Sequence, residues 1–167
     1  STDDLINAGL VLGLSAGEVR DRFRGRLMFP IFNESGKLIA FGGRRMYDEA
    51  TDEAKYINSP ETKIYNKSKT LYGLNFAKAA IKSKGYAILV EGYMDLISLF
   101  QNGIENVVAS SGTSLTQLHA KILSRYSREI VVVYDADLAG QNASRRAIEL
   151  LIENDLSVNI LPLPYGD

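Results

Sequence analysis

The sequence predicts an α/β fold in which a parallel sheet is flanked by helices, preceded by a smaller mixed α+β subdomain with a β-hairpin. From residue 86 onward, apolar runs of strand length alternate with helical segments, which favours parallel strands joined by right-handed crossovers. The runs at 86–90 and 130–134 are continuous and rich in β-branched residues, as expected for strands covered on both faces. Nearer the amino terminus, two apolar runs flank a polar turn at 33–36, which is the pattern of a hairpin.

Helix caps, apolar runs and glycines place the elements in order. Thr2-Asp3-Asp4 is favourable capping chemistry, and Ser15 and Glu18 have the spacing of a capping box, so we expect two short helices first. Gly42-Gly43 is expected to end or bulge a strand, and Gly85 to terminate a helix. The predicted elements are helices within 2–13 and after 15, strands 27–32 and 37–41, a polar excursion over 48–55, helix 75–84, strand 86–90, helix 93–102, strand 106–110, helix 115–127, strand 129–134, helix 140–154 and strand 157–162.

Charge divides the chain into two halves. Residues 1–85 carry 14 Lys and Arg against 10 Asp and Glu, whereas residues 86–167 carry 5 against 10. This division is typical of a protein that binds a polyanion with one surface and a metal with another, although arginines on solvated strand faces would give the same counts. We expect a basic α+β subdomain over 1–80 and an acidic domain over 81–167.

The composition excludes several classes of protein. With 46% hydrophobic residues among 167, the chain can bury a substantial core. It has no apolar run long enough to span a membrane and no secretion signal at its start, so we expect a cytoplasmic protein. The absence of cysteine excludes disulfides and thiolate chemistry, and a single histidine argues against a structural zinc site.

Four carboxylates follow two of the predicted strands. Glu91 and Asp95 come after the strand at 86–90, and Asp135 and Asp137 come after the strand that ends near 134. Because ligands of open α/β sheets bind beyond the carboxyl ends of the strands, we expect these side chains to converge. Clustered carboxylates repel one another unless a cation neutralises them, and oxygen-only ligands select Mg²⁺ or Mn²⁺. For Asp137 the simpler alternative is that it caps the following helix.

The acidic segments resemble a known pair of motifs. Residues 91–95 and 134–140 resemble the paired E-G-x-x-D and D-x-D-x-A-G motifs of Toprim domains, which implies a Toprim-type parallel sheet. Other segments resemble the RNA-polymerase core of bacterial replicative primases, the DnaG family, so that the similarity spans nearly the whole chain. These segments are Arg26-Leu27-Met28-Phe29-Pro30-Ile31, Ala40-Phe41-Gly42-Gly43-Arg44, Lys55 to Thr62, and Leu71-Tyr72-Gly73-Leu74.

The resemblance implies DNA-directed synthesis of RNA primers by metal-dependent nucleotidyl transfer. The expected partners are a single-stranded DNA template, ribonucleoside triphosphates, the RNA primer and, through a domain absent here, the replicative helicase; no membrane is involved. Two or more Mg²⁺ or Mn²⁺ ions are implied, with no zinc in this fragment. By the same resemblance, Glu91, Asp95, Asp135 and Asp137 are catalytic, and Glu91, Asp135 and Asp137 ligate the metal.

Five residues fall on the family motifs that bind nucleotide and nucleic acid: Arg44, Lys55, Tyr56, Asn58 and Lys67. Arginine binds phosphate through paired donors, lysine supplies a point charge, and an aromatic ring can stack on a base. For Tyr56, a half-buried strand aromatic is the alternative. Residues 110–114 have hydroxyls and amides that suit phosphate, yet ordinary helix capping explains them as well. His119 is expected to be a packing or surface residue.

The sequence departs from the family pattern at two places. Ala136 stands where the family has glycine, and a further D-P-D motif is expected at about the point where the chain stops, at Asp167. Because the chain also begins with Ser1, we expect an excised fragment that is truncated before its last acidic motif. Two alternatives are another Toprim phosphodiester enzyme, such as a topoisomerase or nuclease fragment, and a noncatalytic module that binds nucleotides or nucleic acid.

Overall fold

A computed structural model describes residues 1–15, 18–47, 54–135 and 137–163. Part of the expected capping box at 15–18, most of the polar excursion over 48–55, Ala136 and the chain end at Asp167 therefore lie outside the described residues. The chain divides into two compact units, Ser1–Asn66 and Lys67–Asp167.

The first unit begins with a short helix. Helix α1 covers Thr2–Asn7, and the residues after it form strand β1 (Val11–Gly13), which pairs antiparallel with β2 (Val19–Asp21). The expectation of a second short helix after residue 15 was wrong, since Val19–Asp21 form a strand. The first helix ends within the expected range because Gly9 turns the chain with a φ of 69°. A Cβ atom at Gly9 would also collide with the Pro60 ring, so a distant residue helps to enforce the turn.

Three antiparallel strands in the order β3-β4-β5 form the rest of the first unit: β3 (Arg26–Phe32), β4 (Leu38–Arg45) and β5 (Tyr56–Asn58). The predicted hairpin is confirmed, but β4 continues straight through Gly42-Gly43 instead of ending or bulging there. A Cβ atom at Gly43 would lie 2.8 Å from the Phe23 ring and 3.3 Å from Cβ of Arg26. The glycine therefore makes room for side chains that pack over the strand.

The second unit confirms the predicted alternation of strands and helices. Its four strands are all parallel, in the order β7-β6-β8-β9. The elements are α2 (Leu74–Lys84), β6 (Tyr86–Val90), α3 (Tyr93–Gln101), β7 (Val107–Ala109), α4 (Gln117–Leu123), β8 (Glu129–Val132), α5 (Leu138–Ile152) and β9 (Ser157–Ile160). Within the described ranges, no helix has the length and apolar character needed to cross a membrane.

The core of the second unit lies on the central strands. Leu89 of β6 and Ile130 and Val132 of β8 are fully buried, and Ala77 and Ile81 of α2 pack in the same cluster. Because α2 buries its apolar face in this unit, the compact units divide before the predicted boundary at 80.

Two turns limit the helices of this unit. Gly85 ends α2 in the left-handed conformation at φ 79°, as predicted, and its N–H donates to the carbonyl of Ile81. Helix α4 is shorter than the predicted 115–127 and ends at Leu123. It begins only at Gln117 because Thr116 is its N-cap: the Thr116 hydroxyl accepts from the N–H of His119 at 3.1 Å. Of the two alternatives for His119, a packing or a surface residue, the structure favours packing, since the residue is fully buried.

The burial of His119 predicts how stability changes with pH. Burial lowers the pKa of His119, while hydrogen bonds to the carbonyls of Lys67 and Thr70 partly oppose this shift. Below the ordinary histidine pKa of about 6.5, the unfolded chain therefore binds a proton that the folded chain resists. The contribution of His119 to the free energy of unfolding is therefore fully present above that pH and is lost as the pH drops below it.

We expect thermal unfolding to detect this change, because His119 is the one histidine of the sequence. The melting temperature should fall between pH 7 and about pH 5.5, and it should fall less steeply in His119→Gln, which cannot titrate. Equal slopes for the two proteins would contradict the assignment.

Candidate active site

The strand order brings two of the predicted acidic residues together. Strands β6 and β8 are parallel neighbours, with Leu89 paired to Val132, so their carboxyl ends meet at one edge of the sheet. Glu91 follows β6 directly, and Asp135 lies three residues beyond β8. The carboxylate of Glu91 accepts a hydrogen bond from the backbone N–H of Asp135 at 3.3 Å. The first acidic segment is thus joined directly to the second.

Asp95 points back toward the strand end, as its spacing predicts. It lies in the first turn of α3, and its Oδ2 atom accepts from the backbone N–H of Gly92 at 2.9 Å. A carboxylate in this position also interacts favourably with the positive end of the helix dipole. A Cβ atom at Gly92 would lie 3.1 Å from that oxygen, so a small residue suits the turn.

Asp137 is the N-cap of α5, which is the simpler of the two alternatives for this residue. Its Oδ1 atom accepts from the backbone N–H of Gly140 at 2.7 Å. A Cβ atom at Gly140 would collide with the carbonyl oxygen of Asp135. Glycine is therefore required for α5 to start this close to the strand end.

The electrostatics show that the four carboxylates share one environment. Burial raises the pKa of Glu91, and the negative charges of Asp135, Asp95 and Asp137 raise it further, against the hydrogen bond from the Asp135 N–H. Burial also raises the pKa of Asp135, and so do the charges of Asp95 and Asp137. Burial and the neighbouring negative charges therefore disfavour the ionised forms of Glu91 and Asp135, and a cation bound there would favour them.

The chemistry of this acidic cluster (Glu91, Asp95, Asp135 and Asp137) fits Mg²⁺ or Mn²⁺, since its donors are carboxylate oxygens. In the part of the chain that the structure describes, however, no three acidic or histidine side chains are already arranged as a ligand set. Asp95 and Asp137 are each turned toward a backbone N–H at a helix start. Each cap engages one carboxylate oxygen, so ligation by Asp95 or Asp137 would use the other oxygen.

Sequence reasoning missed a tyrosine beside the acidic cluster. Tyr134 is 8% exposed, its hydroxyl is hydrogen-bonded to Ser110, and both burial and the charge of Glu91 raise its pKa. Its hydroxyl therefore stays protonated. Tyr134 ends an apolar run, and nothing in the sequence distinguishes it from a packing aromatic.

The loop after β7 borders the same edge of the sheet. The Ser111 N–H donates to the carbonyl of Glu91 at 2.8 Å, and the Ser110 N–H donates to that of Val90 at 3.3 Å. Ser111 adopts a left-handed φ of 55°. The helix that follows is capped by Thr116 and not by a residue of 110–114.

Four of the five predicted nucleotide-binding residues lie together in the first unit. Arg44 of β4 pairs with Tyr56 of β5, and its guanidinium carbon lies 5.9 Å from the centre of the Tyr56 ring. Tyr56 is 38% exposed, Lys55 is exposed and Asn58 is half-buried. The fifth, Lys67, belongs to the second unit and begins a short 3-10 turn, Lys67–Lys69.

Two arginines of the basic front half have structural roles that the sequence did not indicate. Arg22 donates from Nε and Nη2 to the carbonyl of Asn58 at 3.3 and 3.2 Å. Arg26 is 9% exposed and donates from Nη1 to the carbonyls of Ala54 at 2.9 Å and Lys55 at 3.3 Å. Arg22 thus holds the end of β5 and Arg26 the two residues that precede β5, through backbone acceptors that no local pattern reveals.

Repulsion within the acidic cluster predicts that removal of one charge stabilises the fold. The raised pKa of Glu91 means that the ionised carboxylate is disfavoured on folding, so stability is lost as the pH rises through the range above the ordinary value of about 4.3. Glu91→Gln removes the charge and keeps an oxygen that accepts from Asp135. We expect a higher melting temperature at pH 7, and a smaller difference at pH 4.

Glu149→Gln is the matched control, since Glu149 is an exposed residue of α5. Thermal unfolding of both variants in a chelating buffer checks the expectation. An unchanged or lower melting temperature for Glu91→Gln at pH 7 would show that the cluster is not repulsive.

Comparison with known proteins agrees with this geometry. Residues 1–78 match the family described as the N-terminal domain of the DNA primase catalytic core, and residues 88–167 match the Toprim-like family. A DNA primase from Clostridium acetobutylicum is 50% identical over 165 residues, which are 98% of this chain and 26% of that protein. The chain thus spans about a quarter of that relative.

Solved structures agree as well. The Aquifex aeolicus primase, with its zinc-binding and RNA polymerase domains, superposes with a TM-score of 0.92 at 42% identity, covering 99% of this chain and 41% of that one. A DnaG primase catalytic domain bound to single-stranded DNA superposes with a TM-score of 0.86 at 38% identity, covering 99% of this chain and 52% of that one. The chain therefore belongs to the DnaG family of bacterial replicative primases and forms part of their RNA-polymerase catalytic core, including a Toprim domain.

Proposed function

We propose that the protein to which this chain belongs synthesises RNA primers on a single-stranded DNA template. The reaction transfers a nucleotidyl group from a ribonucleoside triphosphate to the 3′-hydroxyl of the growing primer and releases pyrophosphate. The observation that supports the proposal is that Glu91 accepts from the Asp135 N–H where the neighbouring strands β6 and β8 of a DnaG-type core end, with the charges of Asp95 and Asp137 acting on both carboxylates. The related catalytic domain bound to single-stranded DNA supports the choice of template.

The acidic cluster supplies the metal-binding groups of this proposal. Glu91, Asp135 and Asp137 would hold two or more Mg²⁺ or Mn²⁺ ions, with Asp95 beside them. Bound there, divalent ions lower the pKa of an attacking hydroxyl and neutralise charge on phosphate. Glu91 has a raised pKa and lies partly buried next to Asp135, so it is the cluster member best suited to exchange a proton with the substrate.

The basic residues would hold the nucleotide and the template. Arg44 and Lys55 carry charges suited to phosphate, and the exposed face of Tyr56 suits stacking on a base. Lys67 adds a further cation. Because Arg22 holds the end of β5 and Arg26 the residues just before it, they would keep this surface in a single geometry.

Another Toprim enzyme, such as a topoisomerase or nuclease, is the weaker candidate. The acidic cluster alone suits phosphodiester cleavage as well as synthesis. The match of residues 1–78 to the primase catalytic core favours synthesis, because it covers a part of the chain outside the Toprim-like match. A noncatalytic module is disfavoured by four converging carboxylates, which are costly to place together without a cation.

We expect Asp135→Asn and Glu91→Gln to abolish primer synthesis by the full-length protein, since each removes one metal-ligand charge. Losses of at least about 100-fold in kcat are typical when a group that stabilises transition-state charge is removed. Incorporation of labelled ribonucleotides on single-stranded DNA with Mg²⁺ or Mn²⁺ measures the effect. Glu149→Gln is the control and should retain activity. Normal dinucleotide formation by Asp135→Asn or Glu91→Gln, with a melting temperature at least as high as that of the wild type, would refute the assignment.

Lys55→Ala should weaken the binding of nucleic acid and reduce its dependence on salt. Each lost phosphate contact lowers the slope of log K against log salt by about 0.7 for a single strand. Lys37→Ala is the matched control, because Lys37 is an exposed lysine next to the hairpin turn of the same unit. Anisotropy titrations of a labelled oligonucleotide over a range of NaCl concentrations give both slopes. An unchanged slope for Lys55→Ala would remove Lys55 from the interface.

A further inference from the structure

Side chains at the start of α4 form hydrogen bonds with the backbone of the Lys67–Lys69 turn. The Thr116 hydroxyl donates to the carbonyl of Ser68 at 2.7 Å, and Nε2 of His119 lies 2.9 Å from the carbonyl oxygen of Lys67. His119 also hydrogen-bonds to the carbonyl of Thr70. The side chains of Thr116 and His119 thus bind three backbone carbonyls of the turn and of the residue after it, those of Lys67, Ser68 and Thr70.

The hydrogen bonds specify one form of the imidazole. The Thr116 N–H donates to Nδ1 of His119 at 3.3 Å, so Nδ1 carries no proton. Nε2 then carries the proton and donates to the Lys67 carbonyl. The residue is 0% exposed, and burial lowers its pKa, which keeps this neutral form at pH 7. A buried imidazole with both nitrogens engaged is a rigid spacer between α4 and the turn.

The Lys67–Lys69 turn is weakly stabilised by its own interactions, so hydrogen bonds from α4 matter for its geometry. Its internal hydrogen bond, from the Thr70 N–H to the Lys67 carbonyl, is long at 3.3 Å. Lys67 and Lys69 are like charges two residues apart, and burying carbonyls of the turn without donors would cost free energy. An apolar residue of the same volume at position 119 would fill the core but leave those carbonyls without the imidazole donor.

The turn is also tied to the edge of the sheet that carries the acidic cluster. Tyr72, a few residues after the turn, exchanges backbone hydrogen bonds of 2.9 and 3.1 Å with Ala109 at the end of β7. The following loop is bonded to Glu91 through the Ser111 N–H. All of these contacts lie within the second unit.

We propose that His119, with Thr116, is a positioning residue that fixes the Lys67–Lys69 turn so that the Lys67 ammonium meets the phosphates of the incoming ribonucleoside triphosphate. This inference rests on the proposed function, which assigns nucleotide binding to Lys67. His119 itself touches no substrate; it acts through the carbonyl of Lys67.

Two substitutions separate the two ends of the imidazole. The amide of His119→Gln can reach the position of Nε2 and donate to Lys67. The amide of His119→Asn replaces Nδ1, so it preserves the contact with Thr116 but cannot reach the turn. We expect His119→Asn to raise the KM for ATP in primer synthesis by the full-length protein about 3- to 10-fold, the worth of one lost hydrogen bond, with kcat within about 2-fold. His119→Gln should restore the wild-type KM.

A double-mutant cycle with Lys67→Ala shows whether the effect passes through Lys67. If it does, His119→Asn changes the KM for ATP little in the Lys67→Ala background. Equal effects in both backgrounds, or failure of His119→Gln to restore KM, would overturn the proposal and leave His119 as a packing residue.

Hydrogen exchange provides a test that does not depend on nucleotide. In His119→Asn without ligand, the amide of Thr70 should exchange faster than in wild type, whereas amides of β6 should not change. Unchanged exchange at Thr70 would overturn the proposal by itself. If the Thr70 amide exchanges faster in His119→Asn but Lys67→Ala binds ATP normally, then Lys67 does not bind the nucleotide. That result would reject the role assigned to Lys67 under the proposed function, and with it the positioning role of His119.

Discussion

The parallel pairing of β6 with β8 is the constraint on which the rest of the second unit depends. It places the ends of two buried strands side by side, and the hydrogen bond from the Asp135 N–H to Glu91 joins the segments that follow. The apolar core beneath these strands holds four like charges close together, which would separate if they were free to move. Burial of Leu89 and Val132 therefore supports a site whose own electrostatics oppose folding.

Helix capping and the proposed metal binding involve the same carboxylates. Asp95 and Asp137 each accept a backbone N–H at the start of a helix, which fixes where their side chains begin. Gly140 lets α5 start against the backbone of Asp135, where a side chain would collide. The two alternatives considered for Asp137 are thus compatible, because a carboxylate has two oxygens and a cap engages one of them.

Buried or half-buried polar side chains that hold backbone carbonyls recur in both units. In the first unit, Arg22 and Arg26 hold β5 and the residues just before it, a segment that includes Lys55 and Tyr56. In the second, His119 and Thr116 hold the turn that begins with Lys67. In each case a residue suited to binding phosphate or a base lies on a short segment. Side-chain donors from another part of the same unit hydrogen-bond to the backbone of that segment and fix its geometry.

Local patterns were enough to predict the alternation of strands and helices after residue 86, the bounds of β6, the end of α2 at Gly85 and the acids that follow β6 and β8. Periodicity, capping and glycine act over a few residues, so a short stretch of sequence carries them. Features that depend on distant partners became visible only in the folded chain. Gly9 ends α1 against Pro60, Gly43 continues β4 beneath Phe23, and His119 binds a carbonyl 52 residues away. Such contacts leave no local pattern, since they depend on which segments the core brings together.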